Sequence, residues 1–165
     1  MSLHPIVKLA NGRIDYEYER ELTTLWFNEK KIQWGRVEDN TRRGFYLISK
    51  RNRNNKVYIC CTSNIGSKGN PFFWFGLEHI YFQANPDMGL ILVCVWENKV
   101  REYICFPNSF VRLWVNYWYK KNDYYSIDIE LRGGEYRMKY PKNYLVINEF
   151  VNASNKLFTK INLFE

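Results

Sequence analysis

Strand-like runs that come in pairs across polar breaks predict an α+β fold for this chain: a curved mixed or mostly antiparallel sheet flanked by two main helices. Three observations carry that prediction. Aromatic and β-branched runs pair at Gly44–Thr62, Leu90–Pro107 and Tyr124–Tyr140. Two stretches, Asp15–Lys30 and Phe110–Lys121, space their apolar residues with a helical period. Alternating strand–helix–strand units, the mark of a parallel α/β sheet, are missing. At 165 residues, with 46% hydrophobic and 18% aromatic content and only nine Gly and five Pro, residues 1–165 read as one globular domain. That length buries about two thirds of the unfolded chain's surface, so no disulfide or metal staple is needed.

The first helix is defined by Tyr18, Leu22, Leu25 and Trp26, an i, i+4, i+7, i+8 stripe. Asp15 is placed to cap it, acidic residues fill its first turns, and Lys30 and Lys31 follow its end, as the macrodipole favours. A short strand follows within Lys31–Val37. FYLIS and VYICCT then form a hairpin whose connection, Lys50–Lys56, is polar throughout and, at seven residues, longer than the favoured two-residue turns. Ser63–Pro71 is a second loop, with Gly66 and Gly69 offering backbone freedom and N–H groups for a phosphate.

PFFWFGL precedes an amphipathic segment, Leu77–Gln83, that fits one or two helical turns and ends at Asn85-Pro86-Asp87. Leu90–Trp96 (LILVCVW) is the most continuously apolar run and predicts a central strand buried on both faces, turning at Glu97-Asn98-Lys99 into VREYICF. Asn108 or Ser109 caps a second helix, Phe110–Lys121, with Phe110, Leu113, Trp114, Tyr117 and Trp118 in one wide stripe. Tyr124–Leu131 alternates, Gly133-Gly134 makes a two-residue turn, and Glu135–Tyr140 returns. Asn143–Phe158 fits a strand followed by a helix, without a period that decides between them.

Charge is the most uneven property of the chain. Thr41–Asn70 holds seven basic side chains (Arg42, Arg43, Lys50, Arg51, Arg53, Lys56 and Lys68) and no acid, so residues 1–40, 41–70 and 71–165 carry −1, +7 and +1 of the net +7. Each phosphate neutralised by such a cation releases condensed counterions, which gives affinity without sequence information. The interleaved Asn54 and Ser67, with their neighbours, add donors for phosphate or base edges. Nucleic acid is the expected partner, DNA first with RNA open. A membrane is not expected: no basic amphipathic helix and no apolar run of about 18 residues occurs. The opening residues lack a secretory pattern and the four cysteines sit singly in apolar runs, which points to the cytoplasm.

Aromatic residues near the basic stretch are the second signal, with Trp74 and Trp34 as candidates for stacking on a flipped or modified base. Catalysis has thinner support. Asp87, Glu97 and Lys99 spell the letters of a PD…(D/E)xK metal site, and a metal-dependent nuclease is therefore the alternative reading. One continuous strand between them would hold the two carboxylates about 33 Å apart at roughly 3.3 Å per residue, far beyond shared coordination. His4 and His79 stand without a nucleophile signature, and no P-loop, GxGxxG or HExxH occurs, so no cofactor is expected. A basic protein-interaction domain docking an acidic partner is the third reading.

FFWFGL (72–77), LVCVW (92–96), ICFP (104–107) and the Trp-bearing helix after them together resemble DNA-reading domains attached to restriction endonucleases, including modification-dependent ones. The resemblance covers residues 72–118. It implies a recognition module of a restriction system, a piece of a larger assembly whose nuclease or motor domain lies on the same or another polypeptide. It carries over no catalytic residue.

Overall fold

The structure, a computed structural model, describes residues 16–37, 45–67, 69–79, 87–97 and 99–159. The α+β class holds: among these residues are two α-helices and ten strands, divided between two sheets rather than forming one. In order they are α1 (Tyr16–Glu29), β1 (Gln33–Arg36), β2 (Phe45–Lys50), β3 (Arg53–Ser63), β4 (Phe72–Glu78), β5 (Met88–Trp96), β6 (Lys99–Phe106), α2 (Asn108–Trp114), β7 (Tyr119–Lys121), β8 (Tyr124–Arg132), β9 (Glu135–Tyr140) and β10 (Asn143–Val146). Two 3-10 turns, Asn148–Phe150 and Ser154–Phe158, follow.

Sheet I has the order β1-β2-β3-β5-β6 and is antiparallel except for the parallel pair β3 and β5. Sheet II runs β10-β9-β8-β4. There β7 pairs with Tyr124–Ser126 and β9 with Asp128–Arg132, so the two share one edge of β8 while β4 takes the other.

The apolar run of β5 is buried on both faces, as its composition predicts. Leu90, Leu92 and Cys94 pack toward sheet II, against Phe73, Phe75, Ile127 and Ile129. Ile91, Val93 and Val95 pack toward α1, against Leu22, Trp26 and Phe27. The result is three layers, α1 over sheet I over sheet II, with each large buried side chain contributing roughly 1.5–3 kcal/mol. Trp26 stacks on Tyr103 at 4.2 Å and 6°, fastening the helix to β6. Cys60 and Cys61 do point to opposite faces, one in each cluster, and all four thiols are buried and unbridged. Burial pushes the Cys94 and Cys105 thiols up.

Several elements differ from the sequence reading. The buried stripe of α1 is Glu19, Leu22, Thr23, Trp26 and Phe27, while Leu25 is exposed. Phe27 outcompetes Leu25 for the core, and Thr23 tolerates burial by donating its hydroxyl to the Glu19 carbonyl at 2.9 Å. The second helix stops at Trp114 instead of Lys121, because Trp118 leaves the stripe to set its Nε1 against Met138 Sδ at 3.4 Å and Tyr119–Lys121 is taken up by β8. Its N-cap is Pro107 rather than Asn108 or Ser109, and that residue makes no side-chain cap bond. Leu77 and Glu78 belong to β4, paired with Tyr125 and Tyr124, rather than to a helix, whereas His79 is helical. Residues 80–83 of that expected helix lie outside the described residues, as do Asp15 and His4. The C-terminal stretch is strand β10 followed by 3-10 turns, not an α-helix. No described helix is long and apolar enough to cross a membrane.

Candidate nucleic-acid interface

The basic hairpin exists, but its connection is not a seven-residue loop. Lys50 faces Arg53 in the ladder, leaving only Arg51 and Asn52 as the turn, with φ of 51° and 62°. Positive φ at both positions is the two-residue turn that matches strand twist, and it is reached here without glycine. Arg53, Asn54 and Lys56 are therefore strand residues of β3. Alternation puts Arg53 and Asn55 on the α1 side of sheet I and Asn54 and Lys56 on the other.

The ladder also brings in cations that the charge count of one stretch left out. Gln33 of β1 faces Ser49, so the residues just before it, Lys30 and Lys31, arrive at the end of sheet I where the Arg51-Asn52 turn lies. Helix α1 ends there in a Schellman motif: Ile32 N–H donates to the Phe27 carbonyl at 2.9 Å and Lys31 N–H to the Asn28 carbonyl at 3.1 Å. Lys31 occupies the left-handed position, φ 55°, where glycine is usual. Five cations, Lys30, Lys31, Lys50, Arg51 and Arg53, thus gather from two segments at one end of the sheet.

Beside them opens a cleft of about 540 Å³ lined by Arg53, Asn54, Asn55, Asn108, Phe158 and Thr159. Its lining is mostly amide and guanidinium, groups that donate and accept at base edges. Two of its side chains also have structural duties: Arg53 Nη1 donates to the Phe158 carbonyl at 3.1 Å, and Asn55 Nδ2 to the Leu157 carbonyl at 2.5 Å.

The Ser63–Pro71 loop does not join this surface. It leaves the far end of the eleven-residue β3, about 33 Å from Arg53 at roughly 3.3 Å per residue. Nor does it offer Gly66 to a phosphate, because the Gly66 and Phe72 N–H groups both donate to Asn64 Oδ1, at 2.8 and 2.9 Å. Ser67 is exposed, with its Oγ accepting from Asn70 N–H at 3.2 Å within the loop. Arg42, Arg43 and Lys68 lie outside the described residues.

The two tryptophans singled out for stacking are far apart in the architecture. Trp34 sits in β1 on the α1 side of sheet I, its Nε1 donating to Asn28 Oδ1 at 2.9 Å and its ring edge-on to Tyr46. Trp74 projects from the outer face of sheet II, 48% exposed, with Nε1 donating to Ser126 Oγ at 2.5 Å. They cannot sandwich one base between them.

Asp87, Glu97 and Lys99 are likewise not brought together. β5 is one continuous strand with Asp87 before it and Glu97 after it; Asp87 pairs with Arg112, and Glu97 with Arg101 at 2.8 Å. Lys99 faces Trp96 across the hairpin. Among the described residues no group of three or more His, Cys, Asp or Glu converges as a metal site would need. His79 lies against Lys120 Nζ at 3.1 Å and the Tyr125 ring at 5.1 Å, in contact with no cysteine by those interactions.

No protein-family model, curated protein or solved structure matches the chain. The runs behind the resemblance to restriction-associated domains are mainly core: Phe73, Phe75, Leu77, Leu92, Cys94, Ile104 and Phe106 are all fully or almost fully buried.

Proposed function

We propose that the chain is a nucleic-acid-binding module that holds phosphates on the cationic end of sheet I and offers base edges the Asn54 and Asn108 amides of the adjoining cleft. The observation that carries this reading is the meeting of Lys30 and Lys31 with Lys50, Arg51 and Arg53 at one end of the fold. Cations scattered for solubility alone need not converge from separate segments. Two of them, Lys31 and Arg51, sit at positive φ as the helix C′ residue and the first turn residue, which fixes where their backbones lie. The resemblance of residues 72–118 selects DNA, and with it a restriction system in which a nuclease or motor domain elsewhere does the cutting.

The test is an anisotropy titration against duplex, single-stranded and base-modified DNA, and RNA of the same sequence, at two salt concentrations. Affinity is expected to fall steeply between about 50 and 200 mM salt. The Lys31→Ala, Arg51→Ala double variant should lower the salt slope by about one per cation removed. Arg53 is left out of that variant because it also anchors Phe158. Parent-like binding by the double variant would remove the interface from sheet I, and no binding at low salt would favour an acidic protein as partner.

A further inference from the structure

We propose that the outer face of sheet II is a second binding site, and that it takes a neutral saccharide ring stacked on Trp74. A Cβ built on Gly76 would meet Trp74 Cη2 at 2.7 Å and Cζ2 and Cζ3 at 3.2 Å each. A point lying off the ring's edge would be farther from the two flanking atoms, so the benzo ring lies face-down with its Cη2 corner over Gly76. The bond from Nε1 to Ser126 Oγ fixes its rotation. One face of the ring rests on the sheet and the other is turned outward. A mid-strand glycine sacrifices about 0.5–1 kcal/mol of strand stability and marks a close approach; here what approaches is the ring itself.

The surroundings select the ligand. Across the strands, Gly76, Ser126 and Tyr119 form one row, roughly 10 Å wide at about 4.8 Å per strand. The indole covers the two small residues, and Tyr119, an aromatic side chain 61% exposed, stands at the far end of the row. The next row is Trp74, Asp128 and Lys139, which sets a carboxylate and an ammonium side by side. The outward charges of β8 and β9 are Asp128, Glu130 and Glu135 against Arg132, Arg137 and Lys139, three of each sign. Glu130 pairs with Lys139 at 3.7 Å and Glu135 with Arg137 at 2.8 Å. Glu78 of β4 and Lys121 of β7 add one more of each sign, so this face is neutral in a chain of net charge +7.

A phosphate chain gains nothing from a neutral surface with a carboxylate beside the stacking residue. A sugar ring uses what is present: a flat apolar face for its axial C–H bonds, and an acceptor and a donor together for its equatorial hydroxyls. Tyr144 offers no second platform, since the Arg137 guanidinium covers its ring at 4.4 Å.

The experiment follows the Trp74 indole N–H resonance of the full chain, assigned with Trp74→Phe. The probes are neutral hexasaccharides of β-1,4-linked glucose, β-1,4-linked N-acetylglucosamine and α-1,4-linked glucose, with a single-stranded oligocytidylate beside them. At least one saccharide should move the resonance with an affinity unchanged between about 50 and 200 mM salt. Trp74→Ala, which lacks the resonance and is therefore read by isothermal titration calorimetry beside the parent, should weaken that binding about tenfold or more. Gly76→Ala, which displaces the ring, should do the same, while Lys31→Ala with Arg51→Ala leaves it unchanged. Far-UV circular dichroism checks the fold of each variant. The proposal fails if no saccharide moves the resonance, or if Trp74→Ala binds as the parent does. It fails equally if only the oligonucleotide moves it, in a salt-dependent way, or if the signal follows protein concentration, which would mean a second copy covers the face.

Discussion

Arg53 donates from Nη1 to the carbonyl oxygen of Phe158, 3.1 Å away and 105 positions later in the chain. With Asn55 on the Leu157 carbonyl, the start of β3 thereby latches the last 3-10 turn, which packs Leu157 and Phe158 against the α1 face of sheet I.

Arg53→Ala is expected to cost about 1–2 kcal/mol, the range for a hydrogen bond from a charged donor to a part-buried carbonyl. Asn55→Ala should cost about 1 kcal/mol. Urea unfolding gives both values, and amide exchange gives their location: protection should fall first at Leu157 to Thr159. Uniform loss across sheet I instead would mean that the latch is part of the global core.

Lys31 separates stability from binding. Its φ of 55° at the helix C′ position suits glycine, so Lys31→Gly should raise stability by about 0.5–1 kcal/mol. The same change removes a cation from the proposed interface and should weaken DNA binding at low salt. A thermal melt and a binding titration on one variant check both; parallel movement of the two quantities would tie Lys31 to folding alone.

How far the sequence foretold these features depends on what each rests on. Local signals are enough for the extent of α1, for the doubly buried β5 and for the Gly133-Gly134 turn, whose φ values are 59° and 79°. The Arg51-Asn52 turn was hidden because its left-handed residues are not glycine and the flanking strand ends are polar. The apolar spacing overstates the length of helix α2 because Trp118 continues it but buries itself against Met138 of sheet II. Within the interface, the hairpin cations were visible as a charge block. The joining of Lys30 and Lys31 to it depends on the pairing of β1 with β2, and the exclusion of Ser67 depends on the length of β3. Neither pairing nor strand polarity is written in composition.

Gly66 and Gly69 should respond differently to alanine although they lie three residues apart. A Cβ at Gly66 would sit 2.3 Å from the Asn70 carbonyl oxygen and 2.8 Å from the Phe72 nitrogen, both backbone atoms, the second held by Asn64 Oδ1. Overpacking against backbone costs about 1–3 kcal/mol. A Cβ at Gly69 meets nothing within 4 Å, so Gly69→Ala should stay within about 0.5 kcal/mol of the parent. Chemical denaturation of the two variants side by side decides it, and equal effects would contradict the turn geometry.

Asp128 gives a pH dependence with a definite sign. Burial pushes its carboxyl above the ordinary range, and the Ser126 hydroxyl and the Lys139 ammonium offset that only in part. A carboxyl whose folded value exceeds its unfolded value binds more protons in the native state, so its contribution to stability falls as pH rises through that interval. The fall begins near the unfolded carboxylate value, about 3.9, and is complete once pH has passed the folded value. Asp128→Asn removes this dependence. The variant should therefore be the more stable protein at neutral pH, and its advantage should shrink on acidification into the carboxylate range. Other carboxylates titrate in both proteins and cancel in the difference of their melting temperatures against pH. A flat difference curve, or one that grows toward acid, would mean that Lys139 and Ser126 outweigh desolvation and that the outer face of sheet II prefers its carboxylate charged.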